Sequence, residues 1–152
     1  MTAGSTTEEL RLVDYKRDAP DGYRALAALT RAGKMDLRTV ELVKLLASRL
    51  NRCTHCIGTH EAIAREAGES EARLAAITDW RASDLYDERE KAALALTEEL
   101  TLVGDGISAE VMDEAASRFP GEELTQLVVA IIAINGWNRA WVATEAGERG
   151  AS

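Results

Sequence analysis

The chain has 152 residues and a formal net charge of -8, with 26 acidic against 18 basic side chains. That length suits one domain with a core of its own, and the acidic balance would repel a phosphate backbone or anionic lipid over most of the surface. Nucleic acid is therefore not an expected partner.

The longest uninterrupted apolar run, residues 127–134, is less than half of the roughly 18 to 20 residues that a membrane-spanning helix needs. Residues 1–9 show neither the basic leader nor the apolar stretch of a secretory signal. A cytoplasmic location with no membrane contact is expected. In a reducing cytosol a pair of cysteines is rarely a structural bridge, so Cys53 and Cys56 point to redox work or metal binding.

Proline occurs only at Pro20 and Pro120, strand-type alternation is missing, and Ala, Leu, Glu and Arg dominate. This predicts an all-α, single-domain helical bundle of about seven helices, at 22–32, 37–51, 54–67, 71–77, 88–103, 109–119 and 122–146. The folded unit is expected over residues 19–146, between loosely held tails at 1–18 and 147–152. Asp36, Asp87 with Glu90, and Ser108 with Val111 are start signals. Gly68, Gly104 with Gly106, and Pro120-Gly121 are stops.

On the helix over 37–51, Glu41, Lys44 and Ser48 form a narrow polar strip opposite a wide apolar arc of Val40, Leu42, Val43, Leu45, Leu46, Ala47 and Leu50. Periodicity alone reads that strip as solvent-facing, with a Glu41–Lys44 ion pair. The following helix opens with Cys53-Thr54-His55-Cys56-Ile57-Gly58-Thr59-His60, which holds both cysteines and both histidines of the chain. Positions 53, 56 and 60 fall within a sector of roughly 60°, on the same face as Ile57, Ile63, Ala64 and Ala67. Thr54, His55, Glu61, Arg65 and Glu66 lie opposite. A thiol among apolar neighbours is inert unless something stabilises its thiolate; the positive end of the helix and His60, one turn from Cys56, are both placed to do so.

Two cysteines and two histidines are a familiar zinc set, but His55 points away from the other three and no second cluster completes a tetrahedron. No metal and no bound cofactor are expected. A thioredoxin-type site would need flanking strands, which the sequence does not supply.

In the last helix, residues 127–134 are apolar on every side and need cover all round, at the centre of the bundle or in a subunit interface, which favours a homo-oligomer. Trp137 and Trp141 would extend that buried face.

The spacing Glu41, eleven residues, Cys53, two residues, Cys56, three residues, His60, with His55 inside the Cys-x-x-Cys, resembles the active-site signature of AhpD-like alkylhydroperoxidases in the carboxymuconolactone decarboxylase superfamily. "ELVKLLASRLNRCTHCIGTHEAIAREAG", "YDEREKAALALTEELT" and "INGWNRAWVATE" are similar to that superfamily in the same order. The resemblance implies an all-α fold in trimers or hexamers and a thiol-dependent peroxidase acting on a small-molecule peroxide. It implies Cys56 as peroxidatic thiol, Cys53 as resolving thiol, His60 with Glu41 as a proton relay, and His55 as an auxiliary histidine. The reductant would be a dithiol on a lipoylated or thioredoxin-like protein. On helix position alone Cys53, nearest the free N–H groups, is the expected low-pKa thiol; His60 one turn beyond Cys56 argues the other way. Competing readings are a non-enzymatic dithiol redox sensor, a decarboxylase-like lyase on a small lactone acid with His60 or Glu41 as base, and a structural assembly protein.

Overall fold

Asp14, Asp36, Ser70, Asp87 and Ser108 each accept a hydrogen bond from the backbone N–H three residues ahead, and each starts a helix. At Asp87 the cap is reciprocal, with Glu90 bonded back to the Asp87 N–H. A computed structural model describes residues 12–32 and 34–149. Its helices are α1 (Tyr15–Asp18), α2 (Pro20–Ala32), α3 (Leu37–Leu50), α4 (Thr54–Glu66), α5 (Glu71–Ala75), α6 (Glu88–Thr101), α7 (Ala109–Arg118) and α8 (Glu122–Arg149). Tight 3-10 turns at Ile77–Asp79 and Val103–Asp105 follow α5 and α6. The described residues contain no strand, and the fold is the expected all-α bundle. Gly68 and Gly121, at φ 90° and 63°, turn the chain after α4 and before α8 in a left-handed conformation that a Cβ would strain.

The eighth helix is α1, inside the stretch read as a tail. Asp14 caps it, and the Tyr15 hydroxyl donates to the Ala140 carbonyl at 3.0 Å, a tie across 125 positions. No local periodicity announces such a contact. The helices expected over 71–77 and 88–103 stop early because the chain tightens into the two 3-10 turns. Helix α8 continues to Arg149, while residues 1–11 and 150–152 lie outside the described part.

The wide apolar arc of α3 is covered on both flanks. Leu42, Leu45 and Leu46 pack with Ala64, Leu74, Ile77, Trp80, Tyr86 and Leu94. Val43 joins Ala92, Ala93, Leu96, Ala115, Phe119, Leu127 and Ile131. Helix α8 packs against α2, α3, α4 and α6. By length and composition its span Glu122–Gly147 would reach across a bilayer, which a count of uninterrupted apolar residues does not register. In the fold Leu127, Ile131 and Ile134 are buried while Ile132 is left 51% exposed, so one chain does not cover the run on every side.

Polar side chains join α8 to its neighbours. The Asn51 amide, at the end of α3, donates to Asn135 and Asn138 at 2.9 Å each. Asn138 donates to Ser48 Oγ at 3.0 Å, and Asn135 to Thr101 Oγ1 at 3.0 Å. Asn138 is fully buried, so breaking its bonds to Asn51 and Ser48 leaves unsatisfied groups in the interior. We expect Asn138→Ala to lower the unfolding free energy by about 1–3 kcal/mol, read by urea denaturation. A loss under about 0.5 kcal/mol, the scale of an ordinary surface change, would show that the network holds nothing.

Candidate functional site

Three residues, Asn51, Arg52 and Cys53, take the chain from α3 into α4. Arg52 sits at φ 55°, a left-handed conformation held in place by its neighbours. The Cys53 N–H donates to the Ser48 carbonyl at 3.0 Å, and its carbonyl accepts from Ile57 at 2.9 Å. Its sulfur accepts from the Cys56 N–H at 3.3 Å, so Cys53 is the N-cap of α4. Cys53 and Cys56 are joined by a disulfide across one helical turn. Cys53 is fully enclosed, whereas Cys56, also buried, lines a cleft of about 460 Å³.

The tight turn lays α4 along α3, so that the reactive stripe of α4 covers the polar strip of α3. Glu41 is therefore 2% exposed, not at the surface where periodicity alone places it. Its Oε2 lies 2.7 Å from His60 Nδ1 and its Oε1 accepts from Lys44 Nζ at 3.0 Å. Burial works against its charge, but the hydrogen bond and charge of His60, reinforced by Lys44, outweigh burial and hold the carboxyl below the usual carboxylate range. Facing an ionised carboxylate, Nδ1 carries the proton and donates it, which leaves Nε2 as the ring nitrogen for the cleft that His60 also lines.

His55 stands apart from Glu41 and Cys53. Its ring is exposed and stacks on Trp141, with centroids 3.8 Å apart and planes 25° from parallel. Its backbone N–H donates to Glu145 Oε1 at 3.2 Å, so an α8 carboxylate satisfies one of the free donors at the start of α4. The His55 side chain nevertheless lines the same cleft as Cys56 and His60.

Sequence reasoning missed the cleft itself. Trp137 and Trp141 do not continue the buried face of α8; they line the opening, together with Tyr15 and Tyr23 from α1 and α2. Tyr23 meets Trp137 edge-on at 5.5 Å, and the Trp137 indole donates to Thr30 Oγ1 at 2.6 Å. The available signal was the scarcity of aromatics: four of the seven Trp, Tyr and Phe side chains meet at this one place. Among the described residues, no three His, Cys, Asp or Glu side chains are grouped as a metal site would need. The arrangement offers a dithiol–disulfide pair, an imidazole positioned by a buried carboxylate, and an aromatic approach to one of the two sulfurs.

The chain matches the carboxymuconolactone decarboxylase family over residues 17–99. It is 34% identical to the uncharacterized Bacillus subtilis protein YdfG over 92% of this chain and 97% of that protein. A Mycobacterium tuberculosis protein is 33% identical over 70% of this chain, which spans 38% of that protein. Among solved structures, an Agrobacterium tumefaciens protein of unknown function, described as an antioxidant-defence protein AhpD, is 31% identical. It superposes with a TM-score of 0.82 over 88% of this chain and 94% of that one. The debrominase Bmp8, at 23% identity and a TM-score of 0.73 over 87% of this chain and 75% of that one, shares the fold.

The depressed carboxyl of Glu41 fixes a pH dependence. A folded pKa below the unfolded one adds stability above the ordinary carboxyl range, and that stability is lost as pH falls through the depressed value. Glu41→Gln is expected to lower the unfolding free energy by about 1–3 kcal/mol at neutral pH, with the gap from the natural chain closing below about pH 4. Urea titrations at neutral pH and in acid measure both; a gap that does not change with pH would mean that the charge of Glu41 is not what stabilises the pair.

Proposed function

The chain belongs to the carboxymuconolactone decarboxylase family, among its AhpD-like members, and from that premise we propose that it is a thiol peroxidase reducing hydrogen or organic peroxides with Cys53 and Cys56. The observation that carries the reading is the placement of the two sulfurs. Cys56 lines the cleft beside a histidine whose Nδ1 is held by buried Glu41, and Cys53 lies directly behind it at bonding distance.

In the reduced protein the Cys56 thiolate attacks the distal oxygen of the peroxide. An S–O bond forms, the O–O bond breaks, and Cys56 is oxidised by two electrons to a sulfenic acid. The departing oxygen leaves as water or an alcohol after taking a proton; His60 Nε2, unprotonated while Glu41 holds Nδ1–H, takes the proton of the Cys56 thiol and returns it to that oxygen. The Cys53 thiol then displaces water from the sulfenic acid to give the disulfide. An external dithiol, on a lipoylated or thioredoxin-like protein, restores both thiols by exchange and is itself oxidised. A reducing cytoplasm supplies such dithiols. His55 acts from the mouth of the cleft through its stack on Trp141, not through the relay.

The two cysteines have distinguishable roles. Cys53 Sγ accepts the Cys56 N–H at the start of α4. Its enclosure behind Cys56 supports a resolving role, because a peroxide entering the cleft meets Cys56 first. With one equivalent of peroxide, Cys53→Ser is expected to leave a sulfenic acid on Cys56 that a dimedone-type reagent captures, while Cys56→Ser reacts little faster than an ordinary thiol. Mass spectrometry finding the adduct on Cys53 instead would reverse the roles. Activity on a lactone acid surviving in the double serine variant would replace the peroxidase by a lyase.

The functional unit is read as a homo-oligomer, a trimer or hexamer. Ile132 on α8 and Leu102 and Val103 just after α6 are each more than half exposed, apolar side chains that assembly could cover. Light scattering at micromolar concentration should give a multiple of the 16.5 kDa chain mass; a monomer would refute assembly and leave the thiol chemistry standing.

A further inference from the structure

The cleft over Cys56 is far larger than hydrogen peroxide requires. At roughly 30 Å³ for each water-sized molecule, that peroxide would occupy only a small part of the 460 Å³ available. A cleft of this size is in the range that encloses a substantial organic molecule.

The wall then says what kind of molecule. Several of its polar groups are already engaged within the chain. The Tyr15 and Thr144 hydroxyls donate to the Ala140 carbonyl, the Thr59 hydroxyl to the His55 carbonyl, the Thr30 hydroxyl to the Leu26 carbonyl, and the Trp137 indole to Thr30. Beside them the wall presents aromatic surface, arranged as two pairs: His55 stacked on Trp141 beside Cys56, and Tyr23 edge-on to Trp137. The Trp137 bond to Thr30 and the two ring pairings hold these faces in place, so a flat guest meets preformed faces at little ordering cost. An aryl group would gain stacking and edge contacts here.

The geometry points to an aryl-substituted hydroperoxide as the preferred substrate, its ring held between the two aromatic pairs and its peroxide group directed to Cys56. This rests on the peroxidase reading of Cys56. Cys56 takes the distal oxygen and becomes a sulfenic acid, the O–O bond breaks, and the aryl alkoxide takes one proton and leaves as the alcohol. Cys53 and the external dithiol then close the cycle as before.

The reduced protein is mixed in stopped flow with cumene hydroperoxide, tert-butyl hydroperoxide and hydrogen peroxide, reading thiol loss. The aryl peroxide should react about tenfold faster or more than either of the others. That ratio should fall about fivefold or more in Trp141→Leu and, as a second variant should the first not fold, in Tyr23→Leu. A natural-chain ratio near one, or a ratio unchanged in a folded variant, overturns the assignment. A redox-inert probe separates this proposal from the reading beneath it. 2-Phenylpropan-2-ol added to the disulfide form should quench tryptophan fluorescence saturably through Trp137 and Trp141, since Trp80 is buried elsewhere with its indole on Glu98. Absence of saturable quenching removes the aryl subsite even if every peroxide is reduced. Saturable quenching with no thiol loss to any peroxide leaves an aryl-binding cleft but refutes the peroxidase reading and, with it, the hydroperoxide assignment.

Discussion

Glu41 puts a negative charge in the interior of a small helical bundle, where an unpaired carboxylate would cost several kcal/mol. Both of its oxygens have cationic or N–H partners, Lys44 on the same helix and His60 on the next. The second partner reaches it only because the turn at residues 51–53 folds α4 tightly back along α3. The same turn makes Cys53 the cap of α4 and sets Cys56 one turn further along. Arg52 in its left-handed conformation and the Asn51 bonds to α8 are parts of that single constraint. Buried charge, histidine tautomer and cysteine placement are therefore one mechanical unit, and loosening the turn would disturb all three together.

Around that unit the packing is asymmetric. One flank of α3 is closed by α4 and by the α5 region through Leu74, Ile77 and Trp80; the other is closed by α6, α7 and the first half of α8. The second half of α8, with Asn138 still buried, forms the cleft together with α1, α2 and the start of α4. The contact between α2 and α8 is close. A Cβ at Gly136 would meet the end of the Leu26 side chain at 2.7 Å, so that leucine would have to move if position 136 carried one.

How much of this the sequence disclosed depended on range. Features set within one turn were legible: the caps at Asp36, Asp87 and Ser108, the stop at Gly68, and the shared face of Cys53, Cys56 and His60. Glu41 shows the limit. Its periodicity marked a polar strip correctly, but periodicity says which residues share a face and not what covers it, and the cover is α4 itself. The bonds of Asn51 to Asn135 and Asn138, and of Tyr15 to Ala140, join positions 84 to 125 residues apart and leave no local trace. Trp137 and Trp141 were misplaced for a related reason: an apolar run followed by tryptophans at helical spacing looks like one continuous buried face, although α8 changes surroundings between Ile134 and Trp137. The family resemblance supplied the pairing of Glu41 with His60 that the residues alone did not.

The division of α8 between core and cleft separates two properties along the chain. Glu41, Cys53, Cys56 and His60 all come from α3 and the start of α4, within twenty consecutive positions. The indoles that border Cys56 come from much later in the chain, on a segment that Leu127, Ile131 and the asparagine bonds also hold in the bundle. Descendants of such a chain can thus exchange residues at 137 and 141 without touching the sulfur chemistry, and acquire a taste for different molecules. Reactivity and selectivity are inherited from different ends of the sequence.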